Sequence, residues 1–180
     1  MLKKKEVVKA KCKAEEMIRK AGIKIIPKEA EKIDVADFGL SNLNKEGAQI
    51  LTFFNTERVS AKVIAMFSYQ TMPEHWHPSV KDDPGKEETI RVIDGTLYMY
   101  IPGEDNMQYG FIPEGKDDCY TVRHELVMKS GDQVTLEPGT KHWFQAGEEV
   151  AIFYSMSTCA RDLLDGFTDP DVVRKTEIAE

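Results

Sequence analysis

At 180 residues the chain is long enough for one domain with a sizeable core and too short for two ordinary enzyme domains. Its 41% hydrophobic and 9% aromatic residues exclude a disordered chain, and 31% charged residues imply a well-solvated surface. A formal net charge of −7 argues against a nucleic-acid partner, because holding phosphates calls for a basic surplus or stripe.

The one basic run, KKKEVVKAKCK, lies near the start. Val7, Val8, Cys12, Met17 and Ile18 interleave with its charges at helical spacing, so Lys4 to Ala21 predicts one amphipathic helix with the lysines on the solvated face. Gly22 can take the left-handed conformation that ends a helix. In PKEAEKI, Pro27 suits the first turn of a brief second helix, where its missing N–H costs nothing. No apolar run approaches the roughly 20 residues that span a bilayer, and the basic start lacks the apolar stretch and cleavage site of a secretory signal. The expectation is a cytoplasmic protein with no membrane partner.

From Val35 to Ser157 the pattern changes to short runs rich in Val, Ile, Phe, Tyr and Thr, bounded by Gly, Pro, Asn and Asp. QILTFFN, AKVIAMFSYQ, ETIRVID, TLYMYIP, YTVRHELVM, DQVTLEP, KHWFQAG and EVAIFYSMS all read as strands. Asp94–Gly95 has the signature of a two-residue hairpin turn. Strands at this spacing with no helical period predict an all-β antiparallel barrel or jelly roll, interrupted by long loops. The tail RDLLDGFTDPDVV predicts a short helix followed by a segment lying along the surface. The expected organisation is a helical extension over residues 1–34, a barrel over 35–158 and a C-terminal tail over 159–180 packed on it. Cys12, Cys119 and Cys159 are far apart with no C-x-x-C pair, so neither a disulfide framework nor a cysteine zinc site is indicated.

The chemistry concentrates in PEHWHPSVKDDPGKEE. Two of only four histidines, His75 and His77, occupy one three-residue window, and ten residues separate His77 from Glu88. On a strand, residues two apart share a face, so both imidazoles can reach one ion at about 2.0–2.2 Å while Trp76 points away. Glu88 opens one strand-like run and His142 opens another. Three histidines and a carboxylate make a ligand set that Mn, Fe, Co, Ni or Zn accepts, with positions left open for water or substrate at an octahedral ion.

Residues 75–95 resemble the first cupin motif, His-x-His, then Glu, then Gly95, with a longer gap before Glu88 than is usual. GDQVTLEPGTKHWFQ resembles the second through Gly131, Pro138 and His142, with Ala146 where Asn is common. More specifically, PEHWHP, GKEET, YTVRHE, TKHWFQAGEE and FTDP, in this order, resemble the short bacterial D-lyxose isomerase family of cupins over roughly residues 15–170. The resemblance implies a cupin jelly-roll barrel and a Mn-dependent isomerase. Its substrates would be D-lyxose and D-xylulose, and more weakly D-mannose and D-fructose. The metal ligands it implies are His75, His77, Glu88 and His142.

Aldose–ketose exchange moves a proton between C1 and C2 of an open-chain sugar. The carbonyl must be polarised, an enediolate stabilised and a proton carrier placed nearby, and a divalent ion chelating adjacent sugar oxygens does the first two. Lys86, two residues before Glu88, is the expected catalytic residue, with a pKa lowered by burial and the cation. The larger relatives of this family resemble the pattern of a functional Lys just before the ligand Glu. His124 alternates with Val122, Leu126 and Met128 and is expected to line the substrate pocket. Glu125 is a candidate for a second acid–base group, and the resemblance at FTDP implies Asp165 or Asp169 of the tail as others. Arg91, Glu87 and Trp143 fall on the face away from the ligands.

Two other functions fit the same residues: a cupin isomerase of the archaeal glucose-6-phosphate type, or a sugar-binding cupin without catalysis. A phosphate would call for several Ser, Thr, Arg or Lys residues, and the metal segments offer little beyond Thr89, Arg91 and Lys141. Edge strands and the amphipathic first helix suit a homodimer.

Overall fold

The computed structural model describes residues 1–179. In chain order the regular elements are β1 (Leu2–Lys3), α1 (Lys4–Lys20), α2 (Pro27–Ala30), β2 (Asp34–Ala36), β3 (Ala48–Asn55), β4 (Val59–Met66), β5 (Thr71–Trp76), β6 (Glu88–Ile101), β7 (His124–Lys129), β8 (Gln133–Leu136), β9 (His142–Thr158), β10 (Gly166–Phe167) and β11 (Ile178–Ala179). Single-turn 3₁₀ segments occur at Asp117–Cys119 and Asp162–Leu164.

Helix α1 begins where the Lys3 backbone N–H donates to the Glu6 carboxylate at 2.8 Å and ends before Gly22, which has φ +84° and donates to the Arg19 carbonyl. Its buried face is Val7, Ala10, Ala14 and Ile18, whereas Val8 and Cys12 are exposed. Small alanines at the contact let the helix lie close to the sheet, where Ala14 and Ile18 pack with Leu51, Val63, Ala65 and Ile152. Each fully buried aliphatic side chain in that seam contributes about 1.5–3 kcal/mol. No helix among the described residues is long and apolar enough to cross a membrane.

The sheet runs β10-β5-β9-β4-β3-β2, and β6 pairs with β7, β8 and β9. Strand β9 is the hub. Its start pairs with β5 and with the second half of β6, and its end pairs with β4 and the first half of β6. Ile50, Ile64, Ile90, Val92, Leu97, Met99, Phe144 and Phe153 meet inside the curled sheet, forming the core of a cupin jelly-roll barrel. Their neighbours Leu51, Val63 and Ile152 face the helices instead, so these strands are apolar on both sides and read as unbroken runs rather than alternating ones.

The expected turn at Asp94–Gly95 is not a hairpin. Both halves of β6 pair with β9, with register shifts between Val92 and Asp94 and between Gly95 and Leu97. Gly95 has φ +77°, and a Cβ there would lie 1.8 Å from the Val150 carbonyl oxygen. A positive φ and a close backbone approach serve a bulge as well as a turn. KHWFQAG and EVAIFYSMS are likewise two parts of the single strand β9.

The tail crosses back over the barrel. Gly166 and Phe167 pair with Trp76 and His75 of β5, and β11 pairs with β1 beside the first helix. The long connection over residues 102–123 covers a second aromatic cluster, in which Tyr100 stacks on Trp143 at 3.6 Å and Tyr120 meets the indole edge-on. Trp143 therefore packs on the outer face while His142 and Phe144 face in.

Candidate metal centre

Pro73 shapes the first wall of the site. It lies in a register shift of β5 between Met72 and His75, so Met72 and His75 both face the interior although three positions apart. His75 is the cross-strand partner of His142. His77 follows one residue after β5 ends, and Glu88 is the first residue of β6. The ring centroids of His75 and His142 are 4.2 Å apart, and His77 is 5.2 Å from each. One nitrogen of each ring lies within 4.8 Å of one nitrogen of the other two.

The outer nitrogen of each ring is held. Nδ1 of His75 meets the Pro73 carbonyl and Nδ1 of His142 meets the Thr140 carbonyl, both at 2.8 Å, and Nδ1 of His77 meets Asp165 Oδ1 at 2.7 Å. With acceptors at Nδ1, each ring donates there and turns Nε2 inward, toward the other two rings. Glu88 Oε2 lies 3.1 Å from His77 Nε2 and 3.6 Å from His142 Nε2. Nε2 of His142 is buried without a hydrogen-bond partner among the described residues. An orphaned buried nitrogen beside two more imidazoles and a carboxylate is the donor set a divalent transition metal takes.

Burial, followed by the charges of His142 and His77, holds His75 well below the usual histidine range, which keeps it neutral. Burial pulls His77 down, but hydrogen bonds to Asp165 and Glu88 outweigh it and raise the group. Glu88 is held well below the usual carboxylate range because Lys86, His142 and His77 more than offset its burial. Its Oε1 accepts from Lys86 Nζ at 3.0 Å and from the Ser155 hydroxyl.

Lys86 is buried at the site, just before β6. Among the protein's own groups, burial acts downward on its pKa, but the carboxylates of Glu88, Asp162 and Asp165 prevail and raise it. His124 is in a different place from the triad. Its Nδ1 meets the Glu104 carbonyl at 3.0 Å beside Gly103, and it does not line the cavity at the histidines. Strand parity gives the side of the sheet a residue takes, not how far along the barrel it sits.

Of the three further carboxylates, only Asp165 borders that cavity. Glu125 accepts from the Tyr100 hydroxyl and from the backbone N–H groups of Gln108, Tyr109 and Gly110 on the outer face. Asp169 pairs with Lys116 at 2.6 Å. Four residues missed in the sequence join the site: Lys62, Ser155, Asp162 and Arg174. Lys62 and Ser155 are cross-strand partners on the inward parity of Ile64 and Phe153, and a charged or hydroxyl side chain at such a position was a readable signal. Lys62 Nζ is 2.6 Å from Asp162, and Arg174 is 3.8 Å from the same carboxylate and 3.3 Å from Asp34.

The family model described as D-lyxose isomerase matches residues 9–180. The chain belongs to the D-lyxose isomerase family. It is 49% identical over 166 residues to the D-lyxose ketol-isomerase of Cohnella laeviribosi, covering 92% of this chain and 91% of that one. It is 46% identical over the full length of both chains to the D-lyxose/D-mannose isomerase of Thermosediminibacter oceani. The fold is shared with the L-ribose isomerase of Cellulomonas parahominis, with TM-score 0.84 at 14% identity over 99% of this chain and 98% of that one. Membership makes the chain a sugar isomerase and gives the triad a chemical setting.

Proposed function

We propose that the protein is a metal-dependent aldose–ketose isomerase that interconverts D-lyxose and D-xylulose, and also D-mannose and D-fructose, with Mn²⁺ as its ion. The observation that carries the metal dependence is the convergence of three buried imidazoles, with His142 Nε2 lacking a partner among the described residues and the Glu88 carboxylate beside His77 and His142. His75, His77, His142 and Glu88 would hold the ion. When bound, it supplies Lewis acidity to the carbonyl and neighbouring hydroxyl of an open-chain sugar.

The chain's own groups do the rest. Lys86, kept as an ammonium by three carboxylates, is the catalytic residue that donates to a sugar oxygen as negative charge develops on it. The Ser155 hydroxyl and Lys86 fix Glu88 through its other oxygen. Besides Glu88, the carboxylates that line the cavity and could take the carbon-bound proton are Asp162 and Asp165, both carried on the tail.

Charge pairing favours a neutral sugar over a sugar phosphate. Lys62, Lys86 and Arg174, the cations lining the cavity, are each matched with Asp162, Glu88 or Asp34. That leaves no free cation for a phosphate dianion among the described residues lining it. Turnover of D-lyxose, D-mannose, D-xylose and glucose 6-phosphate by Mn-loaded protein tests this. The expected order has D-lyxose first and glucose 6-phosphate inactive; preference for the phosphate would refute the assignment.

A further inference from the structure

His75 and His142 are oriented by carbonyls two residues back in their own segments, at 2.8 Å each. His77 lies just beyond β5, and its Nδ1 acceptor comes instead from Asp165, 88 positions later in the chain, at 2.7 Å. We propose that Asp165 is a positioning residue of the metal site, and that residues 161–167, which carry it, form a strap whose closure completes that site. The proposal rests on the metal reading above.

The strap is fastened at several points. Gly166 and Phe167 pair with β5, Asp162 holds Lys62 at 2.6 Å, and Arg161 holds Asp83 at 2.9 Å. Gly166 lies flat on the Trp76 indole, where a Cβ would come within 2.3 Å of the ring. Beneath the strap the cavity beside His75, His77, Lys86 and Glu88 is only about 20 Å³. That is room for roughly one water and not for a pentose. Sugar access to the histidines therefore requires the strap to lift, and lifting withdraws Asp165 from His77. Because the Asp165 carboxylate fixes the His77 tautomer and raises its basicity as a ligand, closure and metal binding must strengthen each other.

The test uses metal-free protein and Mn²⁺ alone, without sugar. Competition against a fluorescent chelator should show Asp165→Ala weakening Mn²⁺ affinity about 10–100-fold, with Asp165→Asn, which keeps an acceptor oxygen, in between. Gly166→Ala alters no ligand and keeps the Asp165 side chain, yet should also weaken binding by pushing the strap, and Asp165 with it, off Trp76. In the wild type, hydrogen exchange over residues 161–167 should slow when Mn²⁺ is added; in Asp165→Ala it should not respond. Circular dichroism of the metal-free variants reports folding, and if Asp165→Ala is unfolded the other two carry the comparison. Wild-type affinity in the folded variants, or strap exchange indifferent to Mn²⁺, overturns the proposal. A wild type that binds no Mn²⁺ removes the metal reading itself, and this one with it.

Discussion

Lys86 and Glu88 form a buried ion pair in the site, and their charges set what the lysine can do. An ammonium 3.0 Å from a carboxylate that faces two imidazoles is suited to donating, not to abstracting a proton. Lys86→Met should therefore lower kcat by about 10²–10³ with a smaller change in KM, the loss expected for one preorganised donor to a developing oxyanion. Steady-state kinetics on D-lyxose checks it; a raised KM with unchanged kcat would assign Lys86 to binding alone. The ligand candidates were legible in the sequence because Glu88 and His142 open strands and His75 and His77 share one three-residue window. Lys62 and Ser155 were legible by strand parity. Asp162 and Arg174 were not, because nothing local in the tail indicates that it folds back across the barrel mouth, and Asp165 was reached only through the family resemblance at FTDP.

At the scale of elements, β6 and the connection after it carry two expectations. Gly95 combines φ +77° with a 1.8 Å approach of its missing Cβ to the Val150 carbonyl. Gly95→Ala should destabilise the protein by roughly 2–4 kcal/mol, combining left-handed strain with overpacking, as read by urea unfolding. The sequence marked this glycine correctly as special. It misread the purpose, because an Asp-Gly pair looks the same in a hairpin turn and in a bulge. Glu125 anchors the covering connection. Burial raises its pKa, but the N–H groups of Gly110, Gln108 and Tyr109 and the Tyr100 hydroxyl lower it by more, leaving it below the usual carboxylate range. A folded-state pKa below the unfolded value of about 4.3 contributes stability above that pH, lost as pH falls through the folded value. Glu125→Gln should thus cost stability at pH 7, and its deficit should shrink as the pH is lowered below about 4.3. Unfolding midpoints of both proteins across that range check the sign.

At the scale of the whole molecule, the barrel presses four ligand candidates from three strands onto one point, while α1 seals the outer face of β3 and β4. The helix was predicted within a residue at each end from its periodicity and Gly22, whereas its buried stripe shifted from Val8 and Cys12 to Ala10 and Ala14. Apolar residue type proved a weaker guide than phase, since small alanines suit a close helix–sheet contact. Enclosing buried imidazoles and a carboxylate without an ion leaves a nitrogen unpaired, so binding should stabilise the fold by mass action. Stripping the metal should lower the melting temperature and restoring Mn²⁺ should raise it again, a response that His142→Ala should lose. The most direct measurement follows D-lyxose turnover while metal-free protein is titrated with Mn²⁺. The account predicts no turnover without metal and recovery that saturates at a single ion per chain; full activity in the metal-free protein, or in His142→Ala, would contradict it.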